Sequence, residues 1–291
     1  MRIGEKTMAR NTMKKILCGA LAMTSAFASV AMMSACETSH PEVKMTLEFN
    51  DEEYELTYKL YRKLTPATAT HFLELVDGGY YDGLCVHDYE SSNWFTGGYT
   101  YDSSKTDDGG LVYKDYYTAA AELELTSTVW KDEARTQSLY TLYGEFSKNN
   151  FKVENGTIKN GFGALTMRYT DKGDYAGQTV FCEKSSGGST MREYGYNSAT
   201  SLFSISLSTS GSTFSEYCTF ATLDEDSVEV LEDLQAAIAD YIAAEFENED
   251  EFITDVDMEI NEDDPFAPRD TADYQVPVEP ITIKEMKVTK W

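Results

Sequence analysis

Basic residues are scarce. The chain has 24 Lys and Arg against 50 Asp and Glu, a formal net charge of −26 over 291 residues. No basic cluster stands out, which argues against nucleic acid, since phosphate binding needs grouped cations. Cysteines are few too: Cys18 and Cys36 lie in an N-terminal apolar stretch, leaving Cys85, Cys182 and Cys218. Three is an odd number, so no disulfide framework is implied, and the spacings suit no zinc site. These cysteines read as small buried apolar side chains. The stretch DVDMEINEDD (Asp255–Asp264) alternates acids, but it lacks the glycine at position six of an EF-hand loop. It therefore reads as a solvated acidic loop within the longer acidic segment Glu245 to Asp264. No metal and no cofactor is called for. What the chain does have is ordinary apolar content, 42%, enough for one large or two small cores. Its acidity gives a well-solvated surface.

The first 35 residues read as an export signal rather than part of the fold. Lys14 and Lys15 precede the apolar run ILCGALAMTSAFASVAMM, which ends at Met33-Ser34-Ala35-Cys36. A basic start, an apolar middle and small residues before a cleavage point define such a segment, and it is compact only from Met8 or Met13. The ending MSAC resembles the bacterial lipobox, with Met33 where Leu is commoner. That resemblance implies that Cys36 is acylated and becomes the mature N-terminus. A plain secretory signal and a membrane span are the alternatives, and the run is short for a span. Without residues 1–35, which hold five basic residues and Glu5, the chain keeps 19 basic and 49 acidic residues, net −30. An anionic bilayer repels such a body, so lipid must hold it there. One acyl chain anchors only marginally, and bacterial lipoproteins carry more than one.

After a polar linker, residues 36–43, the body runs from 44 to 291. KMTLEF and YELTYKLY alternate around Asn50-Asp51-Glu52-Glu53, a hairpin signal. Thr65 is placed to cap a helix with Pro66 at its first position. Ala69, Phe72, Leu73 and Val76 fall on one face, and Gly78 and Gly79 end the helix. GLCVH follows as a buried strand. Residues 101–140 lack a clean period, and EKSSGGST reads as a loop. Two Asn-Gly signals lie in NGTIKNGFGALTMRY. SLFSISLS and YCTFATL are strands. DEDSVEVLEDLQAAIADYIAAEF is a second helix, with Asp226 and Glu229 as a capping box and Val228, Leu231, Leu234, Ile238 and Ile242 as its apolar face. VEPITIKEMKV is a final strand. Many short strands and two helices predict a mainly β fold with α, a closed antiparallel β-barrel with two capping helices.

In order and spacing these pieces resemble the cyclophilin-type peptidyl-prolyl isomerases. TPATATHFLELVDGGYYDG is similar to that family's first helix and the turn after it. HDYESSNWFTGGY stands where the family has a His-Arg segment ending in Gln-Gly-Gly-Asp, with the family's ten-residue step from His87 to Gly97. YGEFSKNNF, GFGALTM, NSATSLFSISL, YCTFATL and VEPITIKEMKV resemble its later segments. The resemblance implies a cyclophilin-like barrel, here with an insertion at about 101–140, because the path from Gly98 to Gly144 is much longer than the family's. Such an insert is expected to form a hairpin or helical flap beside the groove.

The resemblance also implies a site. Isomerisation rotates an X–Pro amide whose barrier is about 18–20 kcal/mol, and the family uses an Arg as donor near the proline nitrogen. The aligned residue here is Asp88, which when ionised only accepts hydrogen bonds. By ungapped alignment the pocket Phe and Met become Asn93 and Trp94, and the Gln before the double glycine becomes Thr96. A later Gln becomes Leu202, and the second, pocket-facing Phe becomes Ser204. Arg168 and Tyr169 replace small or polar groove residues, and the family's His falls on Tyr217. Three functions follow. The first is a lipid-anchored isomerase of exported, proline-containing polypeptides, with activity weak or lost. The second is a non-catalytic peptide-binding chaperone or assembly module. The third is a glycan or small-molecule binder that uses Trp94, Phe95 and the many tyrosines as a stacking platform.

Overall fold

The computed structural model describes residues 39–126, 128–149, 158–168, 178–184, 187–193, 200–214, 217–260 and 269–291. Cys36 and Tyr169 lie outside the described residues. In chain order the first strands and helix are β1 (Glu42–Phe49), β2 (Glu52–Leu60), α1 (Pro66–Asp77), β3 (Asp88–Tyr89) and β4 (Asn93–Thr96). Next come β5 (Tyr99–Tyr101), β6 (Leu111–Tyr113), α2 (Tyr116–Glu122), β7 (Leu165–Met167), β8 (Thr179–Glu183) and β9 (Ser189–Glu193). The chain closes with β10 (Phe203–Ser206), β11 (Cys218–Leu223), α3 (Glu225–Glu245), β12 (Ile253–Ile260), β13 (Asp270–Pro277) and β14 (Thr282–Lys290).

β1 and β2 pair in unbroken register from Glu42↔Lys59 to Phe49↔Glu52. Asn50 and Asp51 both take positive φ, 49° and 63°, as a two-residue type I′ hairpin demands. Alternate side chains Val43, Met45, Leu47 and Phe49 enter the core, as do Leu56, Tyr58 and Leu60. Helix α1 buries Ala69, Phe72, Leu73 and Val76 against them. It ends in a Schellman motif: Tyr80 N–H donates to Leu75 O at 2.9 Å and Gly79 N–H to Val76 O at 3.0 Å. Gly79 supplies the positive φ of 66°.

At the other end of α1, Thr65 holds the N-cap position without making a side-chain cap; its hydroxyl donates instead to Tyr61 O at 3.3 Å. The cap comes from far along the chain. The buried Glu145 carboxylate accepts from Ala67 N–H at 3.1 Å and Thr68 N–H at 2.8 Å, satisfying two otherwise orphaned donors. Glu145→Ala should therefore cost about 1–3 kcal/mol, the penalty of buried unsatisfied donors, read as a lower midpoint in denaturant unfolding. Burial holds this carboxyl above its ordinary range. A raised folded-state value means that proton uptake favours the fold. Glu145's contribution should thus grow as pH falls through the folded value and shrink as pH rises.

The main sheet has eight strands in the order β14-β1-β2-β11-β7-β10-β4-β3. It is a half-barrel, not the closed barrel expected from the sequence. Two-residue β3 is too short to form a ladder with β14. The chain just before it meets the start of β14 through a single isolated bridge, Cys85↔Thr282, and three bonds: Gly83 N–H to Ile283 O at 2.7 Å, Ile283 N–H to Leu84 O at 2.6 Å and Val86 N–H to Ile281 O at 2.9 Å. Among the described residues there are three α-helices rather than the two expected, because α2 forms within residues 101–140. α3 starts at Glu225 with Asp224 at the N-cap, so the Asp226–Glu229 capping box does not form at the expected position. Leu231, Leu234 and Ile238 are buried, while Val228 and Ile242 are only half-buried.

One segment expected to be a solvated loop is part of a hairpin. The acidic segment enters β12, which pairs with β13 from Ile253↔Pro277 to Ile260↔Asp270. The loop expected at EKSSGGST falls between β8 and β9, with Gly187 and Gly188 at positive φ. Residues 101–140 take in the end of the β5–β6 hairpin, which starts at Tyr99, and α2. Tyr116, Ala120 and Leu125 root them in the main core. Further along, Val129 and Leu139 share a small second core with Val180 of β8. Cys85, Cys182 and Cys218 are free thiols. Burial pushes Cys85 up to about 12 and Cys182 up to about 11, so at neutral pH they pack as small apolar groups.

Candidate functional site

Strand pleating sorts the sequence-predicted residues onto two faces. In the ladder β3–β4–β10–β7, Asp88 lies opposite Phe95, Phe95 opposite Ser204, and Ser204 opposite Thr166. These side chains share the outer face. Trp94 and Thr96 alternate to the inner one. Trp94 is 0% exposed and stacks on Tyr89 with ring centroids 5.6 Å apart. Thr96 is also fully buried, its hydroxyl donating to Cys85 O at 2.7 Å. Neither lines a groove.

Arg168 follows the last residue of β7, and its N–H donates to Leu202 O at 2.9 Å. It falls two residues beyond Thr166 and so on the same outer face. The exposed guanidinium lies over the Phe95 ring, with Cζ 4.6 Å from the centroid. No ion pair joins Arg168 to Asp88. Asp88 Oδ1 instead accepts from Gln275 N–H of β13 at 3.1 Å. Burial raises the Asp88 carboxyl above its usual value, and Glu90 adds to this; the Gln275 bond and the Arg168 charge pull the other way. His87 is buried and pushed down to about 3, by burial first and by Arg168 second, so it is neutral. Its ring sits 4.9 Å from both Tyr99 and Tyr274.

Hairpin β12–β13 builds a second wall beside Asp88. Val256 and Val276 bury one of its faces against Cys85, Tyr99 and Leu111. Asp255, Asp257, Asp273 and Gln275 face a cleft of about 700 Å³ that Asp88, Glu90 and Ser91 complete. Asp257 and Asp273 are direct cross-strand partners, and their contact raises the Asp273 carboxyl. Among the described residues, no group of three or more His, Cys, Asp or Glu is placed to hold a metal ion.

The other sequence-predicted positions scatter. Asn93 stands at the end of β4, bonded to Ser92 Oγ at 3.0 Å. Leu202 lies against Gly98, where a Cβ would meet Leu202 Cδ2 at 2.7 Å. Gly97 has φ of +103°, and a Cβ there would run into the Ser201 carbonyl, so only glycine fits. Tyr217 lines a separate cavity of about 140 Å³ with Glu145, Phe214 and Thr219.

Residues 44–259, well over half of the chain, match the sequence profile of the family described as cyclophilin type peptidyl-prolyl cis-trans isomerase/CLD. The chain belongs to the cyclophilin-type family. No curated protein matches it. Among solved structures, it is similar to a cyclophilin type peptidyl-prolyl cis-trans isomerase from Cryptosporidium parvum, at 15% identity and a TM-score of 0.41, covering 87% of this chain and 99% of that one. The same relative in the presence of the dipeptide Ala-Pro gives 14% identity and a TM-score of 0.38, covering 86% and 99%. The Mimivirus cyclophilin gives 14% and 0.40, covering 88% and 93%.

Within this cyclophilin-type half-barrel, the outer face brings Asp88, Arg168 and Ser204 together around Phe95. Sequence reasoning placed Phe95 only in a stacking platform, not in the groove, and it missed Tyr274 and Gln275. Strand parity puts Phe95 and Trp94 on opposite faces, but which of them faces outward is set by β10 opposite them. Gln275 acts through its backbone, so its side-chain identity carried no signal.

Proposed function

We propose that this protein is a lipid-anchored, extracytoplasmic cyclophilin-type protein that binds proline-containing segments of exported polypeptides and isomerises them weakly. The observation that carries this is the state of Asp88. It aligns with the family's donor Arg, yet it is an acceptor whose Oδ1 is committed to Gln275 N–H. Family membership supports the substrate class. Phe95, 9% exposed beneath the Arg168 guanidinium, is the aromatic side chain this face can offer a proline ring once that guanidinium yields, while Ser204 and Asn93 make the position more polar than the family's. Titrating X–Pro peptides into the protein while following isomerisation tests the proposal. Binding in the micromolar to millimolar range with slow turnover supports it; absence of binding refutes it. A non-catalytic peptide-binding module is the second reading, favoured by the same Asp88–Gln275 bond. The glycan platform loses its central member, because Trp94 is in the core.

The anchor rests on the MSAC sequence. Cys36→Ser should abolish incorporation of a fatty-acid label and release the protein from the membrane fraction. Unchanged labelling and retention would exclude acylation at Cys36.

A further inference from the structure

Asp88 leaves the proline-facing groove without the family's donor, but a guanidinium stands beside that position from another strand. Arg168 is the cation that the outer face gathers at Phe95. It reaches Phe95 from the end of β7, two strands from β4 in the sheet order. Three features leave it available to a ligand. The side chain is exposed. Ring contact satisfies none of its five N–H donors. The neighbouring carboxylate that would compete for those donors, Asp88, accepts from Gln275 N–H and makes no ion pair with Arg168.

We propose that Arg168 replaces the family's donor: a peptide whose proline ring packs on Phe95 receives hydrogen bonds from the Arg168 guanidinium as its X–Pro bond rotates. This rests on the peptide-binding reading above. The chemistry needs only a donor. Twisting the amide breaks resonance and localises a lone pair on the proline nitrogen, which accepts the bond. Guanidinium stays protonated, so no proton is transferred and no covalent bond changes partner. The contact with Phe95 holds the group in place, and at an exposed site such a contact is weak enough to yield to a ligand.

The test compares wild type, Arg168→Lys and Arg168→Ala by magnetic-resonance exchange on X–Pro peptides, with peptide binding measured by titration on the same samples. Arg168 is exposed, and thermal unfolding verifies that both variants keep the fold. The proposal expects wild type to accelerate exchange and Arg168→Ala to lose roughly 10- to 100-fold in kcat, the effect of one hydrogen bond to a charged group, with KM moving less. Arg168→Lys, which keeps the charge but not the planar fork, should fall between them. An Arg168→Ala variant as fast as wild type, or faster, overturns the proposal and makes Arg168 a plug over Phe95. A wild type that binds peptide without accelerating exchange overturns it too, while leaving peptide binding intact. A wild type that binds no X–Pro peptide removes both.

Discussion

Trp94→Ala should unfold the protein more readily by about 3–5 kcal/mol, the usual cost of truncating a fully buried Trp. For a body of this size that is roughly 6–20 °C in Tm, at about 2–4 °C per kcal/mol. The indole is 0% exposed, stacked on Tyr89 and set in the main core with Phe203, Ile205 and Leu165. Tyr89 in turn packs edge-on against Phe252, so the loss propagates to the segment that leads into β12. The alternative use of Trp94, as a surface platform for sugars or small molecules, predicts the opposite: an unchanged melting curve and altered ligand binding. Trp94→Phe separates volume from surface. It keeps most of the packing and should cost well under half as much. A Trp94→Ala protein that melts with wild type would return Trp94 to the surface and refute its place in the core.

The same residue shows where sequence reasoning stops. Periodicity located β1, β2 and the apolar face of α1, because one-sided burial writes itself into spacing. The Asn50-Asp51 turn and the paired Gly78-Gly79 were legible for the same local reason. Ungapped alignment, however, put Asn93 and Trp94 into one slot, although pleating sends adjacent residues to opposite faces. Which parity faces inward is fixed by the partner strand, here by Ile205 opposite Trp94 and Ser204 opposite Phe95. That information is not local. The Glu145 cap on α1 was hidden for a similar reason, its partners lying 77 and 78 residues away. The β12–β13 hairpin was hidden by composition. Its period-two alternation is visible, but Asp and Glu are depleted in strands, so the segment reads as solvated. The half-barrel in place of a closed barrel turns on two-residue β3, a length that no residue pattern announces.

Isomerase activity of the wild-type protein should fall below that of a cyclophilin-type enzyme with its own donor Arg in place, by up to roughly 10²–10³, because an exposed guanidinium held only by a ring contact is less preorganised than the donor it replaces, whose full loss is worth about 2.7–4 kcal/mol. Asp88→Arg is the direct test, and it should not restore the rate. Position 88 is flanked by Glu90, and the cleft beside it is lined by Asp255, Asp257 and Asp273. A new guanidinium there would be drawn into bidentate contact with those carboxylates, away from Phe95. It would also remove the acceptor for Gln275 N–H and so weaken the seat of β13 beside His87. Asp88→Asn is the informative control. It keeps an acceptor for Gln275 and removes the charge, so β13 should stay seated and the rate should stay low. Rates are measured by a protease-coupled assay, and the seating of β13 by amide exchange at Gln275. Full cyclophilin-like activity in the wild type would show that the rate comes from groups other than the one Asp88 replaced. If Arg168→Ala then abolished that activity, Arg168 would be as well preorganised as the donor it replaces. If it did not, the outer face would hold a catalytic arrangement outside Asp88, Arg168 and Phe95. Asp88→Arg gaining 10²-fold or more, with Gln275 exchange unchanged, would mean that the acidic cleft does not capture the side chain and that Asp88 alone accounts for the low rate.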